Sequence, residues 1–249
     1  HLGQLAAGNW APATIGFLLT AILLPLLSIL AISLTRSNSA YDLARPAGKG
    51  FALFFLIMIH ATLGILVASP RTATTTFAIG IQPFLPKAWD QMGLLIFSFL
   101  FFGISLLLAW NQSKITDYVG KLLNPILLGL LAFIFFMAFV IKGDIRQISI
   151  FPTGSGAGSN LINGFLQGYN TMDALAGLGF GVTIITALKF FGMNETGARS
   201  KAVAKVGAIS MGLEAIIYIF LIALGASSLS YLKLSADGGT AFSGIMAHY

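Results

Sequence analysis

The sequence predicts an all-α integral membrane protein whose chain crosses the bilayer several times as a helical bundle. Of its 249 residues, 57% are hydrophobic and 9% are charged, whereas soluble domains carry about 25% charged residues. Mean hydropathy is +0.89. At roughly 20 apolar residues per membrane-spanning helix, the chain has room for about six spans with their loops. Lipid is therefore the predicted solvent for most of the chain.

Apolar runs long enough to cross a membrane follow one another along a single transmembrane domain. They cover residues 12–34, 51–79, 93–110, 122–141, 162–191 and 206–226, with the start of a further helix at 241–249. The second run continues past Pro70, because a proline bends a buried membrane helix without ending it where neighbours satisfy the freed carbonyl. Since the chain starts at His1 rather than Met and stops where an apolar stretch begins, we expect a piece of a longer protein.

Basic residues fall between the apolar runs and orient the predicted spans. Nine lie in alternate loops on one side: Arg36, Arg45, Lys49, Lys114, Lys121, Lys189, Arg199, Lys201 and Lys205. Four lie on the other side: Lys87, Lys142, Arg146 and Lys233. We expect the side with nine to be cytoplasmic and both ends of the chain to lie outside. The net charge of +6 is then explained by topology, without a nucleic-acid partner.

Motifs for enzymatic chemistry are missing from the sequence. There is no Cys, which excludes disulfides, thiolate nucleophiles and cysteine-ligated metals. Neither an H-E-x-x-H helix nor a G-x-S-x-G elbow occurs. The glycine-rich residues 153–159 lack the Lys-Ser/Thr pair of a phosphate-binding loop and are interpreted as a linker. Two N-x-Ser/Thr sequons, at Asn111 and Asn194, lie in loops assigned to the cytoplasm and are interpreted as chance.

The fifth apolar run is the most informative, because its glycines are too frequent for a simple lipid-facing helix: Gly164, Gly168, Gly177, Gly179 and Gly181. Helix continuity is expected to fail there. The residues from Gly168 to Asp173 place an amide, a hydroxyl and a carboxylate at membrane depth. In transporters, such breaks coordinate an ion and the charged ends of a substrate. Two alternatives stay open: Asp173 as an N-cap, and the glycines as close-packing positions.

A second polar cluster follows Pro70 and carries four threonines, at positions 72, 74, 75 and 76. Hydroxyl oxygens suit sodium, which takes hard oxygen ligands, and they also suit hydrogen bonds to the carbonyl one turn earlier. Further ionisable residues in apolar runs are His60, Arg71 and Glu214. A charge at membrane depth costs about 2.5–3.5 kcal/mol on insertion scales, so each is expected to face protein or water. For His60 and Glu214, a packing hydrogen bond is the open alternative.

Three segments resemble one known family. Residues 168–181, G-Y-N-T-M-D-A-L-A-G-L-G-F-G, resemble the glycine-broken helix of the branched-chain amino acid:cation symporter family. Residues 68–77 resemble its third helix, and residues 16–21 with 24–26 resemble its second. The family belongs to the leucine-transporter-fold superfamily. The resemblance implies a partial inverted-repeat fold with helices 2 to 7 present, helix 1 absent, and a location in a bacterial inner membrane.

The resemblance also implies a function: uptake of leucine, isoleucine and valine driven by a gradient of sodium or protons. It implies substrate-binding roles for Gly168, Tyr169, Asn170, Thr171 and Asp173. Ion-binding roles fall on Thr171, Asp173, Thr72, Thr75 and Thr76, whereas Arg71 is a candidate gate. No cofactor besides the coupling ion is implied, and the oligomeric state is left open. Competing interpretations are a carrier of the same fold for another amino acid or ion, an accessory membrane subunit, and a membrane enzyme using Asp173 and Glu214.

Overall fold

The structure, a computed structural model, describes residues 1–35, 37, 39–110, 118–141, 156–179, 181, 196–235 and 237–248. Every regular element in these ranges is helical. Several predictions fall outside them. They concern Arg36, Lys114, Lys142, Arg146, Lys189, both sequons, the start of the glycine-rich linker and most of the predicted fifth span beyond residue 179.

Five helical segments in the described part of the chain are long and apolar enough to cross a membrane. They are Leu2–Leu34, Lys49–Phe84, Lys87–Ala109, Gly120–Val140 and Ser200–Ser230. The prediction of an all-α protein with several membrane spans is thereby confirmed. The run predicted at 162–191 is divided instead into the helix Ala157–Tyr169 and a second helix that begins at residue 173.

The long segments are built from shorter α-helices joined by wider or tighter turns. Wider π turns at Leu19–Leu23, Thr62–Leu66 and Tyr118–Leu123 each precede a proline by two to four residues. A proline lacks the N–H group and its ring displaces the carbonyl four residues earlier, which the wider turn accommodates. The α-helices are Leu2–Ala6, Trp10–Leu18, Leu24–Leu34, Ala40–Ala44, Lys49–Ala61, Ala68–Gly80, Asp90–Ala109, Asn124–Phe136, Ala157–Tyr169, Thr196–Ser227 and Gly238–His248.

A close helix crossing joins Trp10–Leu18 to Ala157–Tyr169, which we call the first half-helix. A Cβ atom added at Gly164 would overlap the backbone carbonyl of Ala13, and one added at Gly168 would overlap Phe17 and the hydroxyl of Thr20. The backbones can approach this closely only because no side chain separates them, as is usual where membrane helices associate through small residues. The close-packing alternative for these glycines therefore holds here.

The helix that begins at residue 173, which we call the second half-helix, packs against the next stretch of the same neighbour. A Cβ at Gly177 would lie 3.0 Å from the Pro25 carbonyl oxygen, and one at Gly181 would lie 2.8 Å from Ile32 Cδ1. Between the two crossings, the Thr20 hydroxyl in the π turn donates a 2.8 Å hydrogen bond to the Phe165 carbonyl. The irregular turn of one segment thus lies opposite the break in the other.

Large apolar side chains cover much of the outside of this assembly. Phe99 is 80% exposed and Ile65 is 84% exposed, whereas the core near the first crossing is built largely from small residues such as Ala6, Ala13 and Ala21. A soluble monomer rarely exposes contiguous apolar surface on this scale. Lipid or further helices are the environment that such a surface requires.

Candidate functional site at the helix break

The first half-helix ends at Tyr169, and residues 170–172 form a break before the second half-helix begins. The Thr171 hydroxyl donates a 2.6 Å hydrogen bond to the Gly168 carbonyl, and the Met172 N–H donates to the Tyr169 carbonyl at 3.2 Å. Met172 has φ +64°, in the left-handed region that residues other than glycine rarely adopt. The predicted break near Gly168 is therefore confirmed.

The break does not fall on a glycine, although the glycines predicted it. Gly168 is buried and helical, and its missing side chain serves the crossing with Thr20. Met172 takes the unfavourable backbone conformation instead, which costs of the order of 1–3 kcal/mol. The flanking half-helices must hold the residue in that conformation. Strained backbone of this kind clusters at functional sites in proteins.

Arg71 contacts the break from the helix Ala68–Gly80. Its guanidinium donates a 2.9 Å hydrogen bond to the carbonyl of Asn170, the residue that ends the first half-helix. A cation at this position complements the partial negative charge that carbonyls accumulate at a helix C-terminus. The sequence left the role of Arg71 open, and the structure ties it directly to the break.

A cavity of about 350 Å³ lies where this helix faces the break. It is lined by Ala68, Arg71, Thr72, Thr75, Thr76, Thr171 and Met172. The cavity thus unites five of the residues singled out in the sequence, four from one helix and Thr171 from the break. Four predicted substrate-binding residues are not among the described residues that line it: Gly168, Tyr169, Asn170 and Asp173.

The threonine hydroxyls divide into two groups. Thr72 and Thr76 donate 2.8 Å hydrogen bonds to the carbonyls of Ala68 and Thr72, one turn earlier on their own helix. The back-bonding alternative is thus observed for both, and it leaves the lone pairs of each oxygen able to accept. The Thr75 hydroxyl makes no hydrogen bond within the part of the chain that the structure describes.

Asp173 faces a different neighbour, the long helix Thr196–Ser227. The Tyr218 hydroxyl donates a 3.2 Å hydrogen bond to Asp173 Oδ2, and Glu214 lies one turn before Tyr218 on the same helix. Met172, not Asp173, supplies the carbonyl that accepts the first bond of the second half-helix, from the Ala176 N–H. Asp173 therefore lies in the first turn, where its charge complements the helix dipole, and is not the N-cap.

Sequence reasoning missed Tyr218, although one signal pointed to it. Tyr218 lies four residues after Glu214, so both side chains share one face of a helix. No sequence feature placed that face against Asp173, which only the fold brings there. His60 is less informative, because its Nδ1 atom lies 2.9 Å from the Leu56 carbonyl on its own helix, as the packing alternative expects.

The last described helix, Gly238–His248, begins close to the cavity. A Cβ at Gly239 would lie 3.5 Å from Thr75 Cγ2. Asp237 caps this helix, accepting a 2.8 Å hydrogen bond from the Thr240 N–H and a 3.1 Å bond from the Thr240 hydroxyl. The bond from the backbone N–H is the main cause that lowers the pKa of Asp237 below its ordinary value of 3.8.

A bundle of membrane helices with one helix broken at polar residues is the architecture of membrane transport proteins, in which helix ends meet ion and substrate. The comparison with known families agrees with this class. The chain belongs to the branched-chain amino acid transport protein family, whose family model matches residues 1–249. The prediction that the chain is not an enzyme is confirmed, because the family and the relatives described next are transport proteins.

Relatives with curated names include permeases from several bacteria. The branched-chain amino acid permease BrnQ of Lactobacillus delbrueckii subsp. lactis is 38% identical over 251 residues, which cover 100% of this chain and 56% of the relative. The permease BraB of Bacillus subtilis is 39% identical over 251 residues, 100% of this chain and 55% of the relative. The chain spans about half the length of these relatives. No solved structure matches it, so the leucine-transporter-like repeat stays a prediction.

Proposed function

We propose that this chain forms part of a secondary active transporter that imports leucine, isoleucine and valine by sodium symport. The observation that carries the proposal is the helix break at residues 170–172, which borders an open polar cavity on a bundle whose surface is otherwise largely apolar. The relatives are named as branched-chain amino acid permeases, which supports the substrate class. A helix break supplies what a zwitterionic substrate needs, because it exposes backbone dipoles and leaves polar groups unpaired at membrane depth.

In this proposal the residues from Gly168 to Thr171 bind the substrate through backbone and hydroxyl oxygens, and Asp173 orients the break. Thr171 is the best-supported member, because its side chain lines the cavity. The sodium ion is proposed to bind among Thr171, Thr72, Thr75 and Thr76, which line the cavity and whose oxygens are the hard ligands that it takes. Asp173, predicted as a further ion ligand, faces Tyr218 outside this cavity and keeps only the role of orienting the break. No other cofactor is needed.

Proton coupling is the second candidate, and one observation favours it. Asp173 accepts a hydrogen bond from Tyr218, and Glu214 lies one turn before that tyrosine in a segment of membrane-spanning length. Ionisable residues within membrane-spanning segments mark proton relays in transporters, so these two carboxyl groups are candidate proton carriers. The substrate and the transport cycle would be unchanged, and only the coupling ion would differ.

Overlapping specificity among the three branched amino acids follows from the physics of an apolar pocket. One methylene is worth only about 1–3 kcal/mol of discrimination, so a site that fits leucine also binds isoleucine and valine. The proposed setting is a bacterial inner membrane, with the more basic loops in the cytoplasm and lipid around the bundle. Nucleic acid is not a proposed partner.

Uptake of labelled leucine into vesicles that contain the full-length parent protein tests the proposal. An inward sodium gradient should drive uptake, and unlabelled isoleucine and valine should compete. Uptake driven by a proton gradient alone would favour proton coupling over sodium coupling. Competition by an unrelated amino acid instead of isoleucine and valine would indicate a different substrate class. Absence of uptake from folded protein under either gradient would refute transport of leucine.

An accessory subunit without a transport path is tested separately. Single cysteines introduced at Asn170 and Thr171 should react with a water-soluble thiol reagent, because a transport path brings water to the break. The chain has no Cys of its own, so any labelling within it reports on the introduced residue. Two unreactive cysteines would favour the subunit.

A further inference from the structure

The cavity beside the helix break is lined by positive charge without negative charge among the described residues. Arg71 is the only charged residue among the described residues that line it, and the other polar groups are threonine hydroxyls. No carboxylate in the described part of the chain lies within ion-pairing distance of the guanidinium, which donates to the neutral carbonyl of Asn170. The cavity therefore carries an uncompensated positive charge within a segment long and apolar enough to span a membrane.

An uncompensated guanidinium at membrane depth is costly, so a bound anion would stabilise it. The guanidinium has five N–H groups in a planar fork, and one of them is used on the Asn170 carbonyl. The remaining donors can pair with the two oxygens of a carboxylate, the geometry for which arginine is best suited. A free cation, in contrast, would be repelled by the guanidinium.

One hydroxyl of the cavity wall, that of Thr75, favours the same ligand, whereas two others are suited to a cation. Thr75 has no hydrogen-bond partner among the described residues and can donate to an added oxygen. Thr72 and Thr76 already donate their hydroxyl hydrogens to carbonyls of their own helix. Their oxygens can therefore only accept a hydrogen bond or coordinate a cation. A volume of about 350 Å³ lies at the lower end of the range for small-molecule sites.

We propose that Arg71 binds the carboxylate of the transported amino acid and makes that carboxylate a requirement for binding. This inference rests on the proposed function and names the residue that recognises one end of the substrate. Thr75 donates a further hydrogen bond to the same group. Once the carboxylate neutralises the guanidinium, the oxygens of Thr72 and Thr76 can accept the coupling cation beside it, so the substrate enters this cavity before the cation.

Competition binding with leucine analogues that lack the carboxylate tests the inference. Purified full-length parent protein is equilibrated with labelled leucine, and unlabelled leucine, leucinamide and leucinol are used as competitors. The wild-type protein should prefer leucine over both analogues, which keep the ammonium group but lack the carboxylate. Arg71→Gln should weaken leucine binding by about tenfold to hundredfold, the range for a hydrogen bond to a charged group, and should leave the affinity for leucinamide unchanged.

A merely structural role for Arg71 predicts a different pattern. If the guanidinium served only to hold the Asn170 carbonyl, Arg71→Gln would weaken leucine and leucinamide equally, and this result would overturn the inference. Equal affinity of the wild-type protein for leucine and leucinamide would also overturn it. Failure of the wild-type protein to bind leucine at all would refute the proposed function as well, so the two failures are distinguishable.

Two further variants keep the test sharp. Arg71→Lys retains the charge without the planar fork, so it should recover part of the preference for leucine over leucinamide. Thr75→Val should reduce leucine affinity severalfold, whereas Thr74→Val should not, because Thr74 lies on the same helix but lines a different cavity. Equal effects of the two threonine variants, or no recovery with lysine in folded protein, would count against a carboxylate bound at this cavity.

Discussion

Replacing Gly164 by alanine tests the close crossing between the first half-helix and Trp10–Leu18. The added methyl group would lie under 3.0 Å from the backbone carbonyl of Ala13, where no flexible side chain can move away. Ordinary van der Waals contact begins at 3.4 Å, so the first half-helix and Trp10–Leu18 must separate. Separation would also stretch the 2.8 Å hydrogen bond from Thr20 to the Phe165 carbonyl.

The magnitude follows from three terms. Overpacking costs about 1–3 kcal/mol, and weakening the interhelical hydrogen bond adds about 0.6 kcal/mol. The better helix propensity of alanine offsets about 1 kcal/mol. A net destabilisation of about 2 kcal/mol is expected, because the steric term is the largest and backbone atoms cannot relax it.

Thermal unfolding of detergent-solubilised full-length parent protein, followed by size-exclusion chromatography, provides the assay. Gly103→Ala is the matched control, because a Cβ at Gly103 meets nothing within 4 Å. The Gly164 variant should melt several degrees below the wild type, and the control should melt at or slightly above it. If both variants melted like the wild type, the close crossing would be refuted.

Three further predictions concern other polar contacts. Tyr218→Phe removes the hydroxyl that donates to Asp173 and should lower leucine uptake; undiminished uptake by protein of wild-type stability would contradict a role at the break. Thr20→Val should destabilise the protein by about 0.6 kcal/mol in thermal unfolding through the lost bond to Phe165, while Thr35→Val, outside the crossing, should have less effect. The lowered pKa of Asp237 means that its cap stabilises the last helix fully above about pH 4 and is lost as pH falls through the folded-state pKa. Hydrogen-exchange protection at Thr240 should decrease over that window in the wild type and stay constant in Asp237→Asn.

Composition and periodicity were enough to predict the class of fold. A chain with 57% hydrophobic and 9% charged residues cannot be a soluble domain. In lipid, an α-helix satisfies its backbone N–H and C=O groups within a single segment. Five of the six predicted runs coincide with helical segments of membrane-spanning length among the described residues. The glycine-rich run correctly predicted a break, because so many glycines are incompatible with one continuous lipid-facing helix.

The position and partners of the break were decided by tertiary structure. Gly164 and Gly168 lie in a helix crossing, where the missing side chains let the two backbones approach. The chain turns instead at Met172, a residue with no intrinsic preference for that backbone conformation. Likewise, the sequence marked Arg71 as a charge at membrane depth without a role. Its carbonyl partner lies 99 residues away along the chain.

The sequence by itself determined the solvent, the helical class and the residue types at the break, since these depend on local composition and on the cost of polar groups in lipid. Only the tertiary structure decided which polar groups meet. Tyr218 reaches Asp173 across 45 residues of sequence, and the threonines after Pro70 share a cavity with Thr171. Such contacts depend on which helices pack together, and helix packing in lipid is governed by shape and small residues, which local pattern does not specify.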